Sequence, residues 1–230
     1  MSRAGAPDFF HREAQRLGYV ARSAFKLIQI QKKYKLISLG SSILDLGCAP
    51  GAWLQVACQS LGPVDNGGSV VGIDLKKIKV PARYCDARVK CSCADVMNLH
   101  KNEIMALSPQ MEGYSLIMSD MCPPVSGIAV KDAALSMELG MRAVDLAIGR
   151  ASSHFIRKNL PCLEAYDADE DDLLQSKGNL LVKLLQSEDL KELSVYCKSF
   201  FNKVSWHRPK ATRTTSKEIY LICQCFKHPS

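Results

Sequence analysis

Short apolar runs alternate along this chain with stretches whose apolar residues recur every three or four positions. Ile43-Leu44 with Leu46, Val70-Val71-Gly72-Ile73, Leu116-Ile117-Met118 and Leu180-Leu181-Val182 are continuous enough for strands buried on both faces. They predict strands over 42–47, 69–74, 114–120 and 179–186, with another near 88–94. A strand near 203–207 and an alternating one over 218–226 follow. Helical spacing predicts helices over about 8–17, 23–35, 52–61, 99–107, 132–150 and 188–201. Strands alternating with helices imply an α/β fold, Rossmann-like, with a mostly parallel sheet and helices on both faces. The loop 208–217 is too short for a crossover helix, so the last strand is expected to pair antiparallel. Residues 151–178 show no period and carry the acidic run Asp167–Asp172, which reads as a solvated loop insertion. The expected organisation is a single domain over 1–230, with basic N-terminal helices within 8–35.

Composition narrows the class. With 47% hydrophobic and 23% charged residues, a sizeable core is available. No apolar run approaches the ~20 residues that span a bilayer, so no membrane partner is expected. The N-terminus places Asp8 and Glu13 among basic residues and has no apolar segment, unlike a secretory signal or transit peptide. None of the 10 cysteines forms C-x-x-C. Cys91/Cys93 and Cys223/Cys225 sit one residue apart, on one face of a strand, and read as core thiols in place of a zinc site. No metal is expected, and the thiols point to a reducing intracellular compartment: the cytoplasm on sequence, with mitochondrion or plastid open.

The net charge is +7 and is unevenly spread. Residues 1–40 hold eight Lys/Arg against two acids, and from Leu193 onward the only acid is Glu218. If the two basic ends meet, they make an anion-attracting face of the kind nucleic acid needs. General solubilising charge accounts for the composition equally well.

Candidate chemistry begins where the first strand breaks into Gly47-Cys48-Ala49-Pro50-Gly51 and a helix starts near Ala52. A dinucleotide site would read G-x-G-x-x-G. Here that register holds Gly47, Ala49 and Ala52, and Pro50 removes an N–H that a phosphate would use. Asp45, at the expected strand end, would repel phosphate and suits a cation. The turn therefore fits a nucleoside bearing an amino acid, as S-adenosylmethionine does. Asp74 lies 23 residues after Gly51, where such folds place the acceptor for ribose hydroxyls. Asp95 closes the third strand and could accept from an adenine amino group. Either acid could equally be a turn former or helix cap.

Lys183 interrupts an otherwise apolar strand, so it must reach an edge, pair with a carboxylate or lose its proton. Asp120 closes the fourth strand, before Met121-Cys122-Pro123-Pro124, whose prolines shape a pocket wall. Glu218 opens the last strand as the lone acid of a basic segment. Lys26, read locally, is a solvated helical lysine. Trp206 and Tyr220 could stack bases or belong to the core.

Arg22-Ser-Ala-Phe-Lys-Leu27, Asp45-Leu-Gly-Cys-Ala-Pro-Gly-Ala-Trp53, Ser119-Asp-Met-Cys-Pro123, Leu181-Val-Lys-Leu-Leu185 and Ser216-Lys-Glu-Ile-Tyr-Leu221 together resemble the FtsJ/RrmJ family of S-adenosylmethionine-dependent 2′-O-ribose RNA methyltransferases. The resemblance covers about 8–226 apart from the acidic insertion. It implies a catalytic tetrad of Lys26, Asp120, Lys183 and Glu218. Cofactor contacts would fall on Gly51, Trp53, Asp74, Asp95 and Asp120, with Asp45, Gly47, Ala49 and Pro50 completing the turn. The compact chain is most similar to the ribosomal-RNA type, implying a uridine of large-subunit ribosomal RNA as target, the RNA or the large ribosomal subunit as partner, and a monomer. Methylation of tRNA, or a non-catalytic RNA-binding protein with the same fold, are the alternatives. One departure stands out: the family commonly has Ala-Pro-Asn where this chain has Cys122-Pro123-Pro124.

Overall fold

A computed structural model of the chain describes residues 9–149 and 172–227. Two helices come first, α1 (Phe9–Leu17) and α2 (Ala24–Tyr34), and the rest alternates around one sheet. In chain order these elements are β1 (Ser42–Leu46), α3 (Ala52–Ser60), β2 (Ser69–Asp74), β3 (Val89–Cys93), α4 (Lys101–Ala106) and β4 (Tyr114–Ser119). Then follow α5 (Ala129–Ile148), β5 (Leu174–Leu185), α6 (Leu190–Phe200), β6 (Phe201–His207) and β7 (Glu218–Phe226). The seven strands run in the order β3-β2-β1-β4-β5-β7-β6. The first five pair parallel. Strand β7 lies antiparallel between β5 and β6. This is the expected Rossmann-like architecture.

Side-chain alternation divides the core into two layers. Leu44 and Leu46 of β1 face Met137, Met141 and Val144 of α5. Ile43 faces Leu27 and Ile30 of α2 and Trp53 and Leu54 of α3. Strand order reverses between β1 and β4, so the loops leaving their carboxyl ends splay to opposite sides and open a crevice. Gly47 stands at that opening with φ 77°, and a Cβ there would lie 2.9 Å from the Met121 Cα. A residue without a side chain lets the β1 and β4 loops touch. Among the described residues no helix is long and apolar enough to cross a membrane.

Several expectations need correction. Strand β5 starts at Leu174, five residues before the expected boundary, so the insertion ends earlier than residue 178. The acidic run itself lies outside the described residues apart from Asp172. Helix α5 starts at Ala129, not 132, because Asp132 sits inside its first turn and accepts from the Ser126 and Gly127 backbone N–H groups. Cys93 and Cys225 are exposed, unlike their neighbours in sequence. Cys93 ends the edge strand β3, and Cys225 has φ 60°, which breaks the alternation.

Candidate active site

A cleft of about 680 Å³ opens over the carboxyl ends of β1, β2, β3 and β4. Gly47, Ala49, Asp74, Asp95 and Asp120 line it, with Met121, Cys122, Pro123 and Pro124 forming one wall and Leu135 and Leu139 of α5 behind. Of the four acids Asp45, Asp74, Asp95 and Asp120, three therefore share one cavity. Two of them are also turn formers. Asp74 accepts the Ala49 N–H at 2.9 Å and the Lys76 N–H at 2.8 Å. Asp95 accepts from the Met97 N–H and the Asn98 side-chain amide. Each carboxylate oxygen has a second lone pair, so these turns orient the acids without using up their capacity.

Asp45 is different. It lies within β1, not at its end, is fully buried and does not line the cleft. Among the described residues neither carboxyl oxygen has a hydrogen-bond partner. Burial first, then the nearby charges of Asp120, Cys91 and Asp74, push its pKa well above the ordinary carboxylate range. A direct contact from Asp45 to a ligand cation is not available in this arrangement. Pro50, Gly51 and Trp53 do not line the cleft either. Gly51 caps α3 with φ 105°, packed against Pro81. The Trp53 indole donates to the Ser23 carbonyl at 3.0 Å, tying α3 to the start of α2.

The four residues of the expected tetrad arrive as two ion pairs. Lys183 Nζ donates to the Asp120 carbonyl oxygen at 2.6 Å and lies 3.2 Å from Asp120 Oδ1. Lys26 Nζ meets Glu218 Oε2 at 2.6 Å. Both lysines are nearly buried, so Lys26 is no solvated helical residue. Register joins the pairs: Lys183 stands opposite Tyr220 and Leu185 opposite Glu218, which makes Lys183 and Glu218 diagonal neighbours on one face. Burial pulls the Lys183 pKa down, but Asp120, Cys122 and Glu218 together outweigh it, and the net shift is upward. Lys183 therefore carries its proton here.

Tyr220 completes the cluster, and its part was not legible in advance. Its hydroxyl donates to Asp120 Oδ1 at 3.0 Å, and its ring lies 6.0 Å from that of Trp53. The side chain is fully buried, which gives the core reading, and Trp206 is likewise packed against the core. The available signal was the two-residue spacing from Glu218 on an alternating strand, which puts both side chains on one face.

The basic ends do meet. Arg22 Nη2 donates to the Ala211 carbonyl at 2.6 Å, and Lys33 Nζ lies 3.4 Å from His207 Nδ1.

Comparisons with known proteins identify relatives of this chain. The ribosomal RNA large subunit methyltransferase E of Desulfosudis oleivorans is 32% identical over 216 residues, covering 94% of this chain and 89% of that protein. The enzyme of the same name from Bdellovibrio bacteriovorus is 32% identical over 215 residues, covering 94% of each. In fold, the chain is similar to a solved Plasmodium falciparum protein described as a ribosomal RNA methyltransferase. The TM-score is 0.67 at 24% identity, over 92% of this chain and all of that one. The profile of the FtsJ-like methyltransferase family matches residues 19–226, and the chain belongs to that family.

Proposed function

We propose that this methyltransferase moves a methyl group from S-adenosylmethionine to a ribose 2′-oxygen of RNA, with large-subunit ribosomal RNA as substrate. The observation that carries the reading is the buried Lys183–Asp120 pair at the edge of the cleft, one strand from Lys26–Glu218. The RNA class rests on the relatives' names and on the basic surface around α2 and the 208–217 loop.

The cleft suits the cofactor. Carboxylates from Asp74, Asp95 and Asp120 offer acceptors for ribose hydroxyls, an amino group and a positive charge. The wall from Met121 to Pro124 and the α5 leucines is apolar enough for a purine. When bound, S-adenosylmethionine supplies a methyl group already activated on a sulfonium. Asp74, Asp95 and Asp120 would hold it. Asp120 also fixes Lys183, through its backbone carbonyl and its carboxylate, so the lysine is oriented before any substrate arrives. Tyr220 locks the same carboxylate from the other side. A 2′-hydroxyl is a poor nucleophile until its proton begins to leave. Lys183 is the group placed to accept or steer that proton. It is protonated in the free protein; a cation held beside it would favour loss of that proton to solvent, which leaves the amine able to take the hydroxyl proton. Lys26, held by Glu218, would contact the target nucleotide.

The test is methyl transfer from radiolabelled S-adenosylmethionine to large-subunit ribosomal RNA, followed by mapping of 2′-O-methyl positions. Lys183→Ala should lower turnover by about 10²–10⁴-fold, the range for a positioned proton-transfer group, and leave cofactor affinity unchanged. Wild-type turnover by that variant removes the lysine from the mechanism. An unchanged 2′-O-methyl map removes the ribosomal substrate.

A further inference from the structure

Trp53 closes the Asp45–Trp53 motif, yet its side chain is not part of the cleft wall. It is 2% exposed and lies between the sheet and helices α2 and α3, in one apolar layer with Ala24, Leu27 and Tyr220. An indole has a single polar atom, and when buried its N–H needs an acceptor. That acceptor is the Ser23 carbonyl at 3.0 Å. The same carbonyl accepts the backbone N–H of Lys26, also at 3.0 Å. One oxygen, with its two lone pairs, therefore joins the indole to the backbone of the lysine.

The indole ring also meets the support of the second ion pair. Its centre is 6.0 Å from that of the Tyr220 ring, at an interplanar angle of 34°. The Tyr220 hydroxyl donates to Asp120 Oδ1, the oxygen that lies 3.2 Å from Lys183 Nζ. Trp53 thus stands between what holds Lys26 and what holds Lys183. Glu218 closes the circuit, since it pairs with Lys26 and is the diagonal neighbour of Lys183. A second residue of α3 fastens the chain just before α2. Gln55 is fully buried, donates to the Gly18 carbonyl at 3.0 Å and the Arg83 carbonyl at 2.9 Å, and accepts the Val20 N–H at 2.9 Å. Loss of the indole N–H alone leaves that attachment whole.

We propose that the Trp53 indole is a positioning residue for methyl transfer, which sets the spacing of Lys26 from the Lys183–Asp120 pair through the Ser23 carbonyl and the Tyr220 ring. The role rests on the methyltransferase reading above and adds what keeps the two lysines in register. Helix α3 begins at Ala52, where the Gly47–Gly51 turn ends, so one helix carries both the turn beside the cleft and the wedge between the lysines. A rigid bicyclic ring suits the task, because it fixes two distant contacts with only two rotatable bonds. In-line transfer tolerates little error, and a shift of ~1 Å in a positioned group can slow a reaction by about 10²-fold.

The experiment uses the full chain, radiolabelled S-adenosylmethionine at saturation and a transcript of large-subunit ribosomal RNA. Trp53→Phe keeps an apolar ring and deletes the N–H. Its kcat should fall about ten- to a hundredfold, while the KM for RNA and the S-adenosylmethionine dissociation constant stay within about twofold of wild type. The thermal midpoint should move by only a few degrees, since one hydrogen bond is lost and Gln55 still holds the entry to α2. In a Lys26→Met background the same change should slow turnover by no more than about twofold, because the lysine it acts through is gone. Wild-type kcat in Trp53→Phe, or a loss confined to the KM for RNA, would overturn the positioning role. So would an equal loss in both backgrounds, which marks a residue that only supports the fold. A loss of S-adenosylmethionine affinity with kcat intact would overturn it too, and make the indole a cofactor contact. A wild-type protein that binds S-adenosylmethionine but does not methylate the transcript would overturn the ribosomal-RNA reading itself, and this role with it.

Discussion

Two ionisable side chains at the centre of this protein meet burial in opposite ways. Lys183 is surrounded by acceptors, with the Asp120 carbonyl and carboxylate both in reach, so its charge survives desolvation. Asp45 has no partner at either oxygen among the described residues, and its own neighbours are acidic. Its folded pKa is raised, so the native state keeps a proton that the unfolded chain releases. For an acid shifted in that direction, stability is fully present below the unfolded pKa and is lost as pH climbs toward the folded one. The loss starts from about pH 4 and proceeds at about 1.4 kcal/mol per pH unit until the native carboxyl itself ionises. Asp45→Asn removes the titration and keeps the shape. Urea unfolding at a series of pH values should find the variant more stable than wild type near neutrality, with the gap closing toward pH 4. Parallel stability curves for the two proteins would mean that Asp45 is ionised in the native state.

At the scale of elements, one buried arginine ties a helix to the cleft side of the sheet. Arg142, in the middle of α5, donates from Nε to the Val96 carbonyl at 3.0 Å and from Nη1 to Asp145 Oδ2 at 2.9 Å. Its Nη2 donates to the Leu99 carbonyl, and Lys101 of α4 reaches Asp145 Oδ1 at 3.5 Å. Together these bonds clamp the segment after β3, which carries Asp95 into the cleft. Arg142→Met leaves Asp145 and two carbonyls short of a partner, and breaking a buried pair from one side costs about 3–5 kcal/mol. Denaturant unfolding should show that loss, and S-adenosylmethionine affinity should fall with it because Asp95 loses its support. Unchanged cofactor affinity in a destabilised variant would separate the clamp from the site. Nothing in the hydrophobic pattern announced Arg142, since an arginine on an amphipathic helix reads as its solvent face. The same pattern did place β1, β2 and β4, whose apolar runs are continuous, and it lost the first part of β5, where Gln175, Ser176, Lys177 and Gly178 are polar or small. Contacts between distant residues were the least legible. Lys26 and Glu218 are 192 positions apart, so no local reading pairs them, and only the resemblance of several motifs at once nominated Lys26. Asp45 failed for a different reason: it lies inside the strand, one residue short of its end, where its side chain is buried in the sheet and not turned into the cleft.

Across the whole molecule, the cleft draws its walls from both halves of the sheet. Asp74 and Asp95 come from the β2–β3 side, while Asp120, Pro123, Pro124 and Leu139 come from the β4–α5 side. The Gly47–Gly51 turn sits between, with Cys48, Ala52 and Trp53 buried in the layer that packs α2 and α3. A ligand in this cleft bridges segments that only the folded chain holds together, so it binds the native state and not the unfolded one. Its stabilisation follows mass action: at a hundredfold excess over the dissociation constant it is about 2.7 kcal/mol. For a chain of this size that corresponds to a rise of about 5–11 °C in the unfolding midpoint. A thermal melt with and without S-adenosylmethionine should show such a rise, and a nicotinamide dinucleotide at the same concentration should give none, because the turn holds Gly47, Ala49 and Ala52 where a pyrophosphate turn needs three glycines. Asp74→Ala should remove the S-adenosylmethionine response, since it deletes both a cleft acceptor and the bond that positions Ala49. A melt that S-adenosylmethionine leaves unmoved, or a dinucleotide that stabilises equally well, would mean that the cleft is built for a different ligand.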